Sequence, residues 1–141
     1  MGDFFIWIPM LIMLGIATYT DLRWRIIPDK LVVMGLSYFL VLRLLYADQP
    51  YINYLIGIVA GAGVLYVFAL CRPGSFGGGD IKLLAVVGAA MGWQGSLIFL
   101  WIMLGIAGLF TVVLWRKRKL ELPLVPFFLV ANFVFLVIMA V

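Results

Sequence analysis

The chain has 141 residues, of which 67% are hydrophobic, 11% are charged and none is His. Soluble domains carry about 45–50% apolar and about 25% charged residues, so disorder is excluded and an ordinary water-soluble fold is disfavoured. The net charge of +4 punctuates apolar segments without forming an aromatic-interleaved patch, which reads as membrane topology and not as nucleic-acid binding.

A membrane helix takes about 20 apolar residues, and the expected fold is a small all-α polytopic membrane protein forming a single domain over residues 1–141. Six apolar segments follow one another at roughly residues 4–20, 31–46, 51–71, 81–93, 96–115 and 122–141. The first opens with Asp3 where a secretory signal would carry Lys or Arg. Ile6 also stands where a myristoylation site needs Ser or Thr, so the segment reads as a retained transmembrane helix. Polar breaks fall at residues 21–30, 47–50, 72–80, 94–95 and 116–121, and neither an internal repeat nor an appended soluble domain is expected.

The break at Gln94-Gly95 is the faintest, and charge decides it. Six spans put Arg23, Arg25, Lys30, Arg72, Lys82 and the run Arg116-Lys117-Arg118-Lys119 on one side. Only Arg43 lies towards the other, where it can snorkel near Asp48. Five spans would flip the basic run, so the positive-inside rule selects six, with both termini extracytoplasmic. The fourth segment then rises only about 20 Å against a hydrocarbon core of about 30 Å, which places Asp80 near the hydrocarbon boundary. Gly57/Gly61 and Gly88/Gly92 have GxxxG spacing and are expected to pack the protein's own helices. Trp93 and Trp115 suit the interfacial aromatic belt.

Without His there is no His-based triad, imidazole base or His-held metal. The single cysteine, Cys71, makes neither an internal disulfide nor a thiolate zinc site. Chemistry therefore falls to six acids. Asp3 and Asp48 lie outside by this topology, and Glu121 neutralises the basic run. Asp29, after Pro28, reads as a cap or local polar contact at a helix start. Asp80 follows Gly77-Gly78-Gly79 and is either a helix N-cap or a functional acid on a backbone able to bend. The glycines match neither GxxxxGK[ST] nor GxGxxG. Asp21 closes the first span at the unfavourable end of the helix dipole, so it is either part of an ion cluster with Arg23 and Arg25 or functional.

Two aspartates at the same-side ends of separate helices suggest aspartic-protease chemistry. Neighbouring carboxyls cannot both ionise cheaply. The ionised one takes a proton from an attacking water, and the protonated one donates to the scissile carbonyl oxygen. The pair titrates as a unit, so neither residue is assigned a fixed role. No cofactor and no metal is expected.

Asp21-Leu-Arg-Trp-Arg-Ile-Ile-Pro28-Asp29, followed by Gly77-Gly-Gly79-Asp80-Ile-Lys82-Leu, resembles the type IV prepilin peptidases, membrane aspartic proteases of the GxGD class. The resemblance runs through nearly the whole chain. It implies Asp21 and Asp80 as the catalytic pair, with Gly77, Gly78, Gly79, Lys82, Pro28 and Asp29 in supporting or substrate-binding positions. It implies cleavage of short basic leaders from prepilins or pseudopilins with an apolar helix, at the cytoplasmic face of the inner membrane and among its lipids. Three positions depart from the family pattern. Asp29 stands where the family commonly has Asn. Pro123-Leu124-Val125-Pro126-Phe127 keeps two prolines of a Pro-Phe-Gly-Pro-Phe pattern without its glycine. The two CxxC pairs of the bifunctional members are missing, so the chain resembles the peptidase-only type associated with Flp/Tad-like pili, and no N-methyltransferase activity is expected. Two other readings compete. One is a presenilin-like protease of broader specificity, whose acids lie deeper in the membrane. The other is a proton-linked transporter or assembly subunit with Asp80 as a relay.

Overall fold

The computed structural model describes residues 2–73, 77–114 and 125–141, and all of its regular structure is helical. The elements are α1 (Gly2–Trp24), α2 (Asp29–Leu45), α3 (Tyr51–Cys71), α4 (Gly78–Leu114) and α5 (Val125–Ala140). Three stretches are long and apolar enough to cross a membrane: Phe4–Trp24, Tyr51–Cys71 and Gly78–Val113. A shorter apolar helix covers Phe127–Ile138. The all-helical membrane class expected from composition is therefore present. The basic run at 116–119, Glu121, Trp115 and the first two residues of the Pro123–Phe127 pattern lie outside the described residues.

Helix α1 shows how a chain so apolar still has an inside and an outside. Ile6, Met10, Met13, Leu14 and Ala17 are buried, while Phe5, Ile8, Ile12, Ile16 and Tyr19 are exposed. Both sets repeat every three or four residues, so each forms a stripe on one helix face. The exposed stripe is as hydrophobic as the buried one, as expected where lipid is the solvent. α2 begins at Asp29, after Pro28, whose extended backbone (φ −62°, ψ 127°) ends the loop.

The long α4 is not one rod. Gly92 has φ 78° and ψ −179°, a conformation that is essentially confined to glycine. A Cβ built on Gly61 in α3 would lie 3.3 Å from Leu84 Cγ and 3.4 Å from Ser96 Cβ. Leu84 and Ser96 would be about 18 Å apart along a straight helix. One position of α3 touches both, so α4 doubles back at Gly92 into two antiparallel arms packed on α3. The pivot is Gly92 and not the Gln94-Gly95 pair, because a reversal is set by where the backbone can take positive φ, and polarity does not report that.

The small residues make this packing possible. A Cβ on Gly57 would be 2.5 Å from the Gly92 carbonyl carbon and 2.6 Å from the Gly88 carbonyl oxygen, and one on Gly88 would overlap the Gly57 carbonyl. The two GxxxG pairs thus join helices within this chain.

At the reversal, Arg43 from α2 reaches the Ala90 carbonyl. Its Nε and Nη2 donate to the Ala90 carbonyl oxygen at 2.8 and 2.6 Å, and its Nη1 donates to Asp48 Oδ2 at 2.8 Å. The guanidinium also lies 4.7 Å from the Tyr54 ring centroid. The pairing with Asp48 is as expected, but Arg43 is buried instead of snorkelling into solvent. It works as a side-chain cap for the first arm of α4.

Candidate active site

Asp80 lies in the first turn of α4 and is only 7% exposed. Its backbone N–H donates to the Gly77 carbonyl at 3.1 Å, and its Oδ2 accepts the Gly77 N–H at 3.2 Å. This is the reciprocal arrangement of a capping box, with Asp at the third helical position reaching back to the turn. Asp80 is therefore not the N-cap residue itself, yet part of its carboxylate does close the helix start.

The three glycines are not equivalent. A Cβ on Gly79 would stand 2.7 Å from Ile27 Cδ1 and 3.1 Å from Ile27 Cβ and Cγ1. At Gly77 it would meet Asp80 Oδ2 at 3.6 Å, an ordinary contact, and at Gly78 nothing within 4 Å. Gly79 is thus the position where the α1–α2 connection lies down on the turn that carries Asp80.

Asp21 is half-buried in the last turn of α1. Its carbonyl accepts the Arg25 N–H at 2.8 Å, and Arg25 ends the helix with φ 53°, the left-handed region. That conformation costs a non-glycine residue on the order of 1 kcal/mol. The Arg25 charge acts directly on Asp21. Arg23 instead turns outward, donating from Nη1 to Tyr19 Oη at 2.8 Å and lying 5.2 Å from the Trp24 ring centroid. Of the ion cluster expected around Asp21, Arg25 belongs and Arg23 does not.

Asp21 and Asp80 lie on the same side of the bundle, with the Asp21 charge acting on the Asp80 carboxyl. They come from the C-terminal turn of α1 and the N-terminal turn of α4, joined through Ile27 on Gly79. Beside them, Lys82 Nζ donates to Asp29 Oδ1 at 2.5 Å, with side chains 52% and 75% exposed. The N-cap position of α2 is held by Pro28, which makes no side-chain cap. The local polar contact of Asp29 is this ion pair, which ties α2 to α4. Pro28 precedes it as the residue that starts the helix.

Sequence reading did not single out Ile27. Arg25 was expected only as a member of the ion cluster at Asp21, without its role in ending α1. Among the described residues no group of three or more His, Cys, Asp or Glu could hold a metal ion.

The type IV leader peptidase family matches residues 8–141. The chain belongs to that family. It is similar to a prepilin leader peptidase/N-methyltransferase of Bacillus subtilis, with 31% identity over 118 residues that cover 81% of this chain and 48% of the relative. It is also similar to a prepilin leader peptidase/N-methyltransferase of Escherichia coli, with 39% identity over 79 residues that cover 52% of this chain and 35% of the relative. The chain thus spans about half or less of the length of these curated relatives. No solved structure matches it.

Proposed function

We propose that this leader peptidase family member is a membrane aspartic endopeptidase that removes the short basic leader of type IV or Flp-like prepilins at the cytoplasmic face of the inner membrane. Asp21 and Asp80 form the catalytic pair, and a water between them is the nucleophile. The ionised member takes its proton as the water attacks the scissile carbonyl, the protonated member gives its proton to the carbonyl oxygen, and the roles reverse as the amine leaves. The Gly77 N–H on Asp80 Oδ2 holds that carboxyl in place for the reaction. The observation that carries this reading is the placement of Asp21 and Asp80 in the facing terminal turns of two separate helices, packed together through Ile27 on Gly79.

The topology that goes with it has six spans, with the two arms of α4 as the fourth and fifth and both termini outside. The first arm, from Gly78 to Gly92, supplies about 22 Å of helix at 1.5 Å per residue. Such a short arm leaves Asp80 just inside the boundary of the hydrocarbon, where the junction between a basic leader and an apolar substrate helix would lie. Asp21 and Asp80 stand in terminal helical turns and not at mid-span, which favours this reading over a deeper intramembrane protease or a proton relay.

The test is cleavage of a co-expressed prepilin, followed as a mobility shift. Asp21→Asn and Asp80→Asn should each abolish processing while the protein still accumulates in the membrane. Full processing by either variant removes the dyad.

A further inference from the structure

An unfilled space among the described residues lies away from the acids. A cavity of about 700 Å³ opens at the other end of α1, α2 and the first arm of α4. One wall is apolar, formed by Phe4, Trp7, Leu11, Ile98 and Phe135. The other is polar and gathers at the reversal around Gly92, with Arg43, Asp48, Gln49, Tyr54 and Gln94. Gln49 and Tyr54 both border the space beside Gly92.

We propose that this cavity binds a phospholipid whose headgroup carries a primary ammonium, of the phosphatidylethanolamine type. Three observations define the ligand. The polar wall presents one buried cation and one outward anion, since the Arg43 side chain is 8% exposed and that of Asp48 is 78% exposed. A matched pair of opposite charges suits a zwitterion better than a singly charged lipid. Arg43 commits three of its five N–H groups, two to Ala90 and one to Asp48, and the remaining two suit a phosphate oxygen. Tyr54 is fully buried and its hydroxyl has no partner within the protein. A buried hydroxyl left unpaired is costly, and a phosphate oxygen reaching the Tyr54 side of the cavity would accept its proton.

The apolar wall completes the match. Water can satisfy Tyr54 but gains nothing against Trp7, Leu11 and Phe135, whereas an acyl chain does. The phosphate therefore sits towards Arg43 and Tyr54, the ammonium towards Asp48, and one chain against α1 and α5. A choline headgroup has no N–H to donate to Asp48, and a glycerol headgroup brings no positive charge.

The experiment uses the full chain purified in detergent, exposed to equal amounts of phosphatidylethanolamine, phosphatidylcholine and phosphatidylglycerol and examined by native mass spectrometry. The wild type should retain phosphatidylethanolamine in preference to the other two. Asp48→Asn should erase that preference, and Tyr54→Phe should weaken retention of all three by roughly tenfold, the loss of one hydrogen bond to a charged group. Both variants leave Arg43 on Ala90, so they keep the reversal intact, and an unchanged thermal transition in lipid-free detergent verifies this. Equal retention of the three lipids, no retention, or an Asp48→Asn protein with the wild-type preference would overturn the proposal, as would a co-purifying peptide in place of lipid.

Discussion

A methyl group at Gly79 would meet three atoms of Ile27 at 3.1 Å or less, whereas one at Gly78 would meet nothing within 4 Å. Gly79→Ala should therefore push the α1–α2 connection off the turn that carries Asp80. Overpacking of this kind costs about 1–3 kcal/mol, and the loss should fall on prepilin processing, because the displaced segment links the two acids. Gly78→Ala, in an open helical position, should process like the wild type and be equally or slightly more stable, by up to about 1 kcal/mol. Trimming the obstacle in an Ile27→Ala, Gly79→Ala double variant should restore part of the processing, which a requirement for glycine flexibility alone does not predict. The Lys82–Asp29 pair behaves differently. Both side chains are half or more exposed, and such pairs contribute about 0–1 kcal/mol and weaken with salt. A double-mutant cycle with Asp29→Asn and Lys82→Gln, read by thermal unfolding, should give a coupling below about 1 kcal/mol that shrinks in high salt. Asp29→Asn should keep processing activity, and complete loss would move the dyad assignment onto Asp29. At this scale the acids were legible in the sequence because residue type already limits the chemistry. Ile27 was not, since an isoleucine before a proline gives no sign of what will lie beneath it.

Among the helices, the element that departs most from its hydropathy is α4, whose sequence is apolar from end to end yet reverses. Charge bookkeeping required a break somewhere between Ile81 and Trp115 but located it two or three residues late, at the most polar pair. The pivot is Gly92, where φ is 78°, and the strain an L-residue would meet there comes from the backbone. The nearest atom to a Cβ is Gln49 Oε1 at 3.4 Å, which can move aside. Gly92→Ala should thus cost about 1–3 kcal/mol through conformation alone, seen as a lower unfolding midpoint in detergent. Gly105→Ala, in the second arm with open space around it, should be neutral or slightly stabilising. Equal effects of the two substitutions would mean that α4 does not need the positive φ. Arg43 completes the element by donating from another helix to the Ala90 carbonyl, two residues before the pivot. A lone arginine near the end of an apolar segment carries the signature of an interfacial anchor. Only the fold shows that its target is the Ala90 carbonyl, twelve residues after the start of α4.

For the whole molecule, the reversal decides which side of the membrane everything after it occupies. Under the proposed six-span topology, with α4 crossing twice, the basic run at residues 116–119 would return to the side of Arg23, Arg25, Arg72 and Lys82. With α4 crossing as a single helix, the run would lie opposite, against the positive-inside bias. Labelling separates the two arrangements. In a Cys71→Ser background, a cysteine replacing Lys117 should react with a membrane-impermeant maleimide only when the cytoplasmic side is opened. A cysteine replacing Gln49, beside the reversal and at the other end of the bundle from Asp80, should react in intact cells. Reaction of the position-117 cysteine from outside would mean that α4 spans once and that α5 runs in the opposite direction. The acids would still share one end of the bundle, since α1 and the first arm of α4 precede the reversal. The four basic residues would then no longer flank that end, and the six-span account of which face meets the substrate would fall while the Asp21–Asp80 pairing stood.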